Sequence, residues 1–324
     1  MTKAIRIHQF GGPETLVWED VTVNPPGPGE VLLTNTAVGL NFIDVYHRTG
    51  LYPIPLPTVL GLEGAGVVEA VGSGVTAFAP GDRVAYCTAP MGAYAERRLM
   101  PADRLVRLPE GITERSAAAM MLQGLTAHYL LRRIHRVQPG ETILIHAVAG
   151  GVGQIVCQWA NHLGATVIGT VGSDEKAELA RANGCHHPIV YTRENFVERV
   201  REITGGQGVP VVYDSVGKDT FMNSLDCLRP LGMMVIFGQS SGKVPPFDVG
   251  ILAAKGSLFL TRPTLATYTA KREELVGAAE ELFAAVLGGH VRINVNQTYP
   301  LAEAARAHQD LEARRTTGST VLLP

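Results

Sequence analysis

One stretch of the sequence, residues 141–176, constrains the fold of this chain more than any other. Two short apolar runs, at 142–147 and 165–171, predict buried strands. Between them, a cluster of glycines precedes apolar residues at helical spacing, and Gly164 stands where that helix would end. A strand, a glycine turn, a helix and a second strand in this order are typical of units that bind dinucleotides. The turn lets the backbone approach a pyrophosphate, and the helix N-terminus supplies N–H donors.

The glycine turn has the sequence AVAGGVG, in which Ala149 replaces one glycine of the usual GxGxxG pattern. Three glycines alone are often no more than a turn. Because the flanking strands and the helix are also present in the required order, the sequence predicts that this turn binds a dinucleotide cofactor.

The remaining sequence predicts two kinds of domain. Residues 3–108 consist of short runs of mixed or alternating polarity between glycine and proline turns, which is typical of a curved β-sheet or a barrel-like domain. Helices are predicted at 116–133 and 151–164, and strands and helices then alternate as in a doubly wound parallel sheet. A helix at 300–315 and a final strand lie outside that alternation, so we expect them to pack against the N-terminal domain. The predicted fold class is α/β.

Composition and charge exclude several classes of partner. The 324 residues are 46% hydrophobic and carry a net charge of −2, which gives no electrostatic basis for binding nucleic acid or an anionic membrane. No apolar run reaches the ~18 residues of a membrane span, and we expect no signal peptide. The four cysteines form no CxxC pair and are expected to be buried thiols, which favours a cytoplasmic location.

Several segments occur in one order along the whole chain and together resemble a known superfamily. They are GLNFIDVYHRTGLYP (39–53), GLEGAGVVEAVGSGV (61–75), GDRVAY (81–86), LQGLTAHYLL (122–131), HAVAGGVG (146–153), VVYDSVG (211–217), SLFLTRP (257–263) and the C-terminal RRTTGSTVLL. The chain resembles the medium-chain dehydrogenase/reductase superfamily, and most closely its zinc-free branch, the NADPH:quinone oxidoreductases related to ζ-crystallin.

The resemblance implies two domains and a homodimer. A GroES-like, β-rich catalytic domain is expected over residues 1–124 and 266–324. A Rossmann domain with a doubly wound parallel sheet, which binds NADPH, is expected over residues 125–265. Matches along the entire chain are more specific than a single glycine motif, but a fold alone does not determine a reaction.

The absence of two metal ligands bears on the chemistry. Zinc-dependent relatives have a catalytic cysteine in the segment that matches 41–44, and a Gly-His-Glu sequence where this chain has Gly61, Leu62 and Glu63. Neither the cysteine nor the histidine is present, and a leucine side chain cannot bind a metal ion. Without zinc, dehydrogenation of a simple alcohol lacks its Lewis acid. We therefore expect no metal, and hydride transfer to an acceptor that is already electrophilic.

The end of the second predicted strand bears on the choice between NADPH and NADH. Proteins that prefer NADH place an aspartate or glutamate there, which accepts hydrogen bonds from the ribose 2′-hydroxyl. Here Gly172 and Ser173 occupy that position, and Lys176 follows one turn into the next helix, where it can supply positive charge to a 2′-phosphate. Asp174 and Glu175 would disfavour a phosphate if they turned inward. We predict NADPH.

The resemblance adds contacts to both ends of the cofactor. It places Tyr191 and Arg314 around the 2′-phosphate with Ser173 and Lys176, although solvated helix charges are the alternative for the lysine and the arginine. It places Asn41 and Thr126 near the nicotinamide and its ribose.

The other implied cofactor contacts follow predicted strands, at the edge of the sheet where ligands of this fold bind. They are Gly150, Gly151, Val152, Ser215, Val216, Phe237, Gly238, Thr261 and Arg262, the last two beside the domain cleft. Ordinary core packing is the alternative for Val216 and Phe237.

The segment 41–53 contains the candidate catalytic residues Asn41, Tyr46 and Tyr52. Quinone reduction needs a hydride at one end of a conjugated system and protons at its oxygens, so the enzyme must chiefly position the acceptor in an apolar slot. Tyr46 and Tyr52 could hydrogen-bond the acceptor oxygen, stack on its ring or donate the proton, which water could also supply. Packing in the β-rich domain is the alternative for both. Asp44 is expected to orient a neighbour or cap a helix.

Three functions remain to be distinguished. The first is NADPH-dependent reduction of quinones without a metal. The second is NADPH-dependent reduction of the double bond of alkenals or enones, which uses the same fold and cofactor. The third is a non-catalytic role, as a crystallin-like or RNA-binding protein, and the net charge of −2 disfavours RNA. The expected partner is a small-molecule quinone or enone.

Overall fold

The computed structural model describes residues 2–324, and the chain divides into two compact units. The first unit comprises the chain up to Leu125 together with Tyr268–Leu287 and Ile293–Pro324. The second unit comprises Thr126–Thr267 and Gly288–Arg292. Each unit has its own β-structure and its own hydrophobic core.

The strands are numbered in chain order. They are β1 (Thr2–Ile7), β2 (Val17–Val21), β3 (Glu30–Leu40), β4 (Thr58–Val59), β5 (Glu63–Val71), β6 (Arg83–Tyr86), β7 (Arg97–Pro101), β8 (Val106–Arg107), β9 (Thr142–Ile145), β10 (Thr166–Val171), β11 (His187–Val190), β12 (Val209–Asp214), β13 (Leu228–Ile236), β14 (Phe259–Thr261), β15 (Val295–Pro300) and β16 (Ser319–Leu323).

The α-helices are numbered in the same way. They are α1 (Phe42–Arg48), α2 (Glu114–Ala118), α3 (Met121–Tyr129), α4 (Gly151–His162), α5 (Asp174–Ala182), α6 (Phe196–Ile203), α7 (Phe221–Leu225), α8 (Gly250–Ala254), α9 (Leu265–Tyr268), α10 (Arg272–Leu287) and α11 (Ala304–Glu312). A π-helical segment, Leu130–Ile134, continues α3, and short 3₁₀ turns occur at Pro13–Thr15, Ala102–Arg104 and Leu301–Glu303.

The first unit is built on two β-sheets. The larger has the strand order β15-β16-β3-β5-β6-β8, with β7 also paired to β3, and the smaller has the antiparallel order β2-β1-β4. The long strand β3 turns Val31, Leu33, Val38 and Leu40 into the core, because alternate side chains of a strand point to the same face. The C-terminal strand β16 pairs with β3. This pairing confirms the expectation that the last segment packs against the N-terminal domain.

The second unit contains a six-stranded, wholly parallel sheet in the order β11-β10-β9-β12-β13-β14. The chain order therefore reverses between β9 and β12, which is the arrangement predicted for a doubly wound sheet. Leu144, Ile168 and Val212 of its central strands belong to one buried cluster. Because all strands are parallel, their carboxyl ends meet at one edge of the sheet, where such folds bind their ligands.

Several element boundaries differ from the prediction. The predicted helix at 116–133 is interrupted between α2 and α3, because the Leu122 N–H donates to Glu63 Oε1 at 2.8 Å. A hydrogen bond to this buried carboxyl replaces the continuation of the helix. Within the predicted alternation of strands and helices, α7 spans only Phe221–Leu225, and Leu228 already begins β13. Strand β15 was not predicted.

No helix within residues 2–324 is both long enough and apolar enough to cross a membrane.

Candidate active site

The glycine turn after β9 brings backbone donors to the carboxyl edge of the parallel sheet. Ala147 has a left-handed conformation, with φ of 54°, and the Gly150 N–H donates to its carbonyl at 3.0 Å. Helix α4 then begins at Gly151. The Gln154 N–H makes a helical hydrogen bond to the Gly150 carbonyl at 2.9 Å, and the first N–H groups of the helix belong to the residues before Gln154. These N–H groups have no acceptor one turn earlier in the helix and can donate to an anion.

Gly153 is required by close packing beneath that turn. A Cβ atom at this position would lie 2.5 Å from the Ala147 carbonyl oxygen and 2.7 Å from the Val148 Cα. Both contacts are with backbone, so no side-chain rotation could relieve them. The turn and the first turn of α4 are therefore packed tightly against each other, as in the dinucleotide-binding turns that the sequence pattern resembles.

The end of β10 presents hydroxyl and cationic groups. Ser173 is the N-cap of α5, and its Oγ accepts from the Lys176 N–H at 3.4 Å. A Cβ on Gly172 would lie 3.1 Å from the Tyr191 hydroxyl, so the turns after β10 and β11 approach each other at this point. The residues predicted to surround a 2′-phosphate on this unit therefore lie on adjacent turns.

The two acidic residues of this turn are engaged by neighbouring groups. Asp174 forms a bidentate ion pair with Arg193, with both N–O distances at 2.6 Å. A hydrogen bond from the Ser173 hydroxyl holds the pKa of the Glu175 carboxyl below its ordinary value. The charge of Asp174 is therefore neutralised locally. Arg193 was missed at the sequence level, because nothing in its local pattern distinguishes it from a surface arginine.

A buried aspartate organises the turns after β12 and β13. Asp214 is fully buried, and its carboxylate accepts from Val216 N at 2.7 Å, Gly217 N at 3.0 Å and Thr220 Oγ1 at 2.7 Å. Its carbonyl accepts from Phe237 N at 2.8 Å.

These bonds bring two predicted segments together. A Cβ on Gly238 would lie 2.7 Å from the Ser215 carbonyl oxygen, so the turns at 215–216 and 237–238 are in contact. Val216 and Phe237 are both half-buried at this edge, which disfavours the alternative that they belong to the core.

The remaining predicted cofactor residues lie at separate positions. Thr261 ends β14, and Arg262 Nη1 donates to the Ile236 carbonyl at 3.1 Å. Thr126 is buried in α3. Arg314 belongs to the first unit, where it is exposed after α11 in a left-handed conformation with φ of 58°.

Asn41 lies at the centre of a buried polar chain in the first unit. As the residue before α1, it donates its backbone N–H to Asp44 Oδ2 at 2.9 Å, which places Asp44 in the predicted capping role. Its side-chain Nδ2 donates to Glu63 Oε2 at 2.6 Å, and its Oδ1 accepts from Gln123 Nε2 at 3.2 Å. The Ser319 hydroxyl extends the chain through a 2.6 Å bond to Gln123 Oε1.

Two buried carboxyl groups therefore flank Asn41, one bound to its backbone and one to its side chain. Burial raises the pKa of Glu63 to about 8 and the pKa of Asp44 to about 7. Hydrogen bonds from Asn41 oppose the shift in each case but do not offset the loss of hydration.

A second hydrogen-bond chain runs from Asp44 to the C-terminal helix. The Tyr94 hydroxyl lies 2.9 Å from Asp44 Oδ2 and 3.1 Å from His308 Nε2, and Arg48 Nη1 lies 3.1 Å from His308 Nδ1. A guanidinium can only donate, so Nδ1 is the acceptor and the proton of the neutral imidazole is on Nε2. Tyr94 thus accepts from His308 and donates to Asp44. Arg48 also forms a bidentate pair with Glu312 at 2.9 and 2.8 Å.

The two candidate tyrosines lie together on and after α1. Tyr46 is buried and Tyr52 is half-buried, and their ring centroids are 5.1 Å apart in an edge-to-face arrangement. The Tyr52 N–H donates to the Tyr46 carbonyl at 3.1 Å. Their catalytic roles, like that of Asn41, stay predictions.

Glu63 and Gln123 were not among the predicted site residues. The sequence signals for Glu63 are a charged residue at the start of a largely apolar strand and its place in the segment that matches Gly-His-Glu of zinc-dependent relatives, and Gln123 is a polar residue within an apolar helix. Within residues 2–324, the structure brings together no group of three or more histidine, cysteine, aspartate or glutamate side chains suited to a metal ion.

Comparisons with known proteins agree with this architecture. Residues 27–110 match the alcohol dehydrogenase GroES-like domain, and residues 151–280 match the family of zinc-binding dehydrogenases. The chain is 56% identical to a quinone oxidoreductase of Pseudomonas aeruginosa over all of both chains. It is 52% identical to a 2-haloacrylate reductase of Burkholderia sp, covering all of this chain and 99% of that one.

A solved structure extends the agreement to three dimensions. The crystal structure of Escherichia coli quinone oxidoreductase complexed with NADPH has a TM-score of 0.98 to this chain at 50% identity, covering 99% of this chain and all of that one. The family predicted from the sequence is thereby confirmed. The chain belongs to the quinone oxidoreductase family of the medium-chain dehydrogenase/reductase superfamily.

Proposed function

We propose that this protein is an NADPH-dependent quinone reductase that requires no metal. The proposal rests above all on its 56% identity, over the full length of both chains, with a protein named quinone oxidoreductase. Leucine at position 62, where zinc-dependent relatives have a histidine, supports the metal-free chemistry.

The second unit has the donors that NADPH requires. The N–H groups of Gly151 and Val152 at the start of α4 would bind the pyrophosphate, and Ser173 and Lys176 would bind the 2′-phosphate. Tyr191, on the adjacent turn, would join them, and Arg314 is a further proposed contact of the 2′-phosphate. The ion pair of Asp174 with Arg193 supports this choice, because a neutralised carboxylate does not repel the phosphate.

When bound, NADPH supplies the hydride that reduces the acceptor. The task of the protein is then to position the quinone and to provide for the proton. We propose that Asn41 contacts the nicotinamide and that Tyr46 and Tyr52 bind the acceptor oxygen or stack on its ring. The edge-to-face contact between the two tyrosine rings would hold them in a defined orientation. The proton comes from one of these phenols or from water.

A homodimer in the cytoplasm is the proposed state of the protein. The outermost strand of the parallel sheet, β14, exposes the large apolar side chain of Phe259, which is 56% accessible, and Val249 nearby in sequence is 72% accessible. An exposed apolar sheet edge favours pairing with a second chain. Sedimentation velocity would test this, and Phe259→Lys should shift a dimer towards monomer.

The four buried, unpaired cysteines support a reducing location.

The second candidate function is reduction of a conjugated double bond in an enone or alkenal. The observation that favours it is the 52% full-length identity to a protein named 2-haloacrylate reductase. Both reactions deliver a hydride to a conjugated acceptor, so the same residues would serve either.

Steady-state oxidation of NADPH distinguishes these functions. Turnover should be fastest with quinones, slower or absent with alkenals and 2-haloacrylate, and unchanged by a chelator. NADH should be the poorer donor. Faster turnover of alkenals than of every quinone would replace the first function by the second, and a chelator-sensitive rate would contradict the metal-free proposal. Tight, salt-sensitive RNA binding without turnover would indicate the non-catalytic alternative.

A further inference from the structure

The hydrogen bonds that link the side chains of Glu63, Asn41, Gln123 and Ser319 can run in two directions, which is a property of the whole series and not of any single bond. Each of its two middle members is a carboxamide, which has a donor on one side and an acceptor on the other. Rotation of both amides by half a turn exchanges donor and acceptor all along the chain without moving a heavy-atom position appreciably. The chain can therefore run in either of two directions.

The direction depends on the ionisation state of Glu63. When Glu63 is a carboxylate it can only accept, so Asn41 Nδ2 donates to it, Gln123 Nε2 donates to Asn41 Oδ1, and the Ser319 hydroxyl donates to Gln123 Oε1. When Glu63 is a neutral acid, its Oε1 still accepts from the Leu122 N–H, so a proton on Oε2 can donate to the Asn41 oxygen once the amide has turned. Asn41 then donates to Gln123, and Gln123 donates to Ser319.

The position of the Ser319 hydroxyl is compatible with both directions of the hydrogen bonds. Its hydroxyl lies 2.6 Å from Gln123 Oε1 and 2.8 Å from the carbonyl oxygen of Ala119. In the first direction its single proton goes to Gln123. In the second direction its oxygen accepts from Gln123 and its proton goes to Ala119, so no buried donor loses its acceptor. A chain with one direction only would not need the second acceptor.

Within residues 2–324, no cation forms a hydrogen bond or ion pair with Glu63, and the two buried arginines nearby bind other groups: Arg48 binds His308 and Glu312, and Arg98 binds the Pro90 carbonyl. Other ionisable groups on the elements around Glu63 include Asp44, Tyr86, Cys87, Tyr94, Glu114 and Arg115. The first four are buried with it, and none of these four is a cation. Glu114 pairs with Arg83. Gly39 gives the carboxyl its room, since a Cβ there would lie 2.3 Å from Glu63 Oε2.

We propose that Glu63 is a positioning residue whose ionisation state sets the direction of the hydrogen bonds in the chain Glu63–Asn41–Gln123–Ser319, and thereby which side of its amide Asn41 turns towards a ligand. Because the ligand in question is the nicotinamide end of NADPH, the consequence for binding rests on the proposed function. The switch itself does not, since all four side chains belong to the first unit.

The test combines infrared spectroscopy with cofactor binding on the full-length protein. The C=O stretching band of a protonated carboxylic acid is followed from about pH 6 to about pH 10, which brackets the transition of a buried acid. We expect a band that disappears near pH 8 in the wild type and is missing in Glu63→Gln. Asp44→Asn identifies the band of the other buried acid. Glu69→Gln, on the exposed face of the same strand, is the control and should retain both bands.

NADPH binding is measured by fluorescence from about pH 7 to about pH 10, which lies above the second pKa of the 2′-phosphate, about 6. Exchange of a donor for an acceptor at Asn41 should change the wild-type Kd about fivefold, the worth of one hydrogen bond. In Glu63→Gln, the new amide donates to Asn41 Oδ1 and accepts from Leu122, which fixes the neutral-acid direction. Its Kd should not change with pH, whereas Glu69→Gln should behave as the wild type.

The outcomes separate the two proposals. A wild-type spectrum with no carboxylic acid band attributable to Glu63 would overturn the switch without any variant having to fold. Glu63→Gln with the full wild-type pH dependence of the Kd would overturn it as well. A titrating band in a protein that does not reduce quinones would leave the switch in place and reject the proposed function instead.

Discussion

The carboxyl edge of the parallel sheet and the buried polar chains of the first unit use the same kinds of side chain in opposite ways. At the turn after β10 on that edge, the polar groups are partly exposed and their partners are close in sequence, as with Ser173 and Lys176. In the first unit, Arg48 and Glu312 are 264 positions apart, and Asn41 and Gln123 are 82 apart. A substitution at the edge should therefore affect mainly the residue that is changed, whereas a substitution in one of the buried hydrogen-bond chains should affect every member of that chain.

Two arginines make this contrast quantitative. Arg48 and Arg193 each form a bidentate pair with a carboxylate, but the Arg48 side chain is 1% exposed and the Arg193 side chain is 58% exposed. Water screens and replaces the exposed pair, so its net contribution is small. In the other pair only the arginine is buried, since the Glu312 side chain is 33% exposed, and loss of that carboxylate would leave the Arg48 charge without hydration or compensation. Similar geometry thus has different consequences in the two regions.

The largest effect is expected from Arg48→Met. It removes the donors to His308 and Glu312 together and should lower the free energy of unfolding by about 3 kcal/mol, because the fully buried His308 loses its donor, whereas Glu312, with its side chain 33% exposed, regains hydration. Urea denaturation measures this. Arg193→Met is the matched control and should leave the unfolding midpoint unchanged. Equal losses in the two variants would break the comparison between the regions.

The predictability of each region follows from the range of its interactions. The strand predicted at 165–171 is observed as Thr166–Val171, and the helix predicted at 151–164 as Gly151–His162. Their apolar periodicity is a local signal. Once the strands are parallel, the residues that follow them must meet at one edge, so the position of most candidate cofactor residues follows from the strand ends.

The parts that could not be predicted depend on distant partners. The break before α3 is caused by Glu63, which lies 59 positions from Leu122, and no helix propensity indicates it. Strand β15 alternates exposed and half-buried residues and lacks the apolar run that identified the other strands. Likewise, a sequence shows that Gln123 is polar but not that it lies between Asn41 and Ser319. The roles of the candidate site residues stay predictions.

Gly153→Ala should have the next largest effect. The new methyl would contact the backbone of Ala147 and Val148, so the free energy of unfolding should fall by about 2–3 kcal/mol and NADPH affinity should fall with it, because the glycine turn must move. Gly277→Ala in α10 is the control. A Cβ there meets nothing within 4 Å, and alanine should stabilise that helix by about 0.5–1 kcal/mol. Calorimetry and cofactor titration give both values, and unchanged binding in Gly153→Ala would show that the edge tolerates a methyl group at these backbone contacts.

The buried acid Asp44 should make stability depend on pH. Its pKa is raised from 3.8 to about 7, so between these values the folded protein binds a proton that the unfolded chain has released. Stability from this group is therefore greatest at low pH, and it falls as the pH rises towards 7 and is constant above. Between pH 5 and 7 the loss should be about 2 kcal/mol. Asp44→Asn should remove this part of the slope in urea denaturation, whereas the exposed control Asp20→Asn should retain it. A slope that is the same in all three proteins would mean that Asp44 is ionised throughout.

The smallest effect, and the one that sharpens the comparison most, is expected at the exposed edge. Lys176→Ala removes one charge-assisted contact to the proposed 2′-phosphate and should lower the preference for NADPH over NADH about tenfold in kcat/KM, with kcat/KM for NADH unchanged. Unfolding should be unaffected, in contrast to Arg48→Met, and Lys271→Ala, an exposed charge before α10, should change neither value. Arg193→Met should act in the same direction as Lys176→Ala but more weakly, because it leaves Asp174 unneutralised beside the phosphate. Added salt should diminish that second effect, since both partners are exposed. If Lys176→Ala instead lowers kcat/KM for both cofactors equally, the lysine supports the fold of the turn rather than the choice of cofactor. A substitution at this exposed edge would then affect neighbouring residues as well, as in the buried chains.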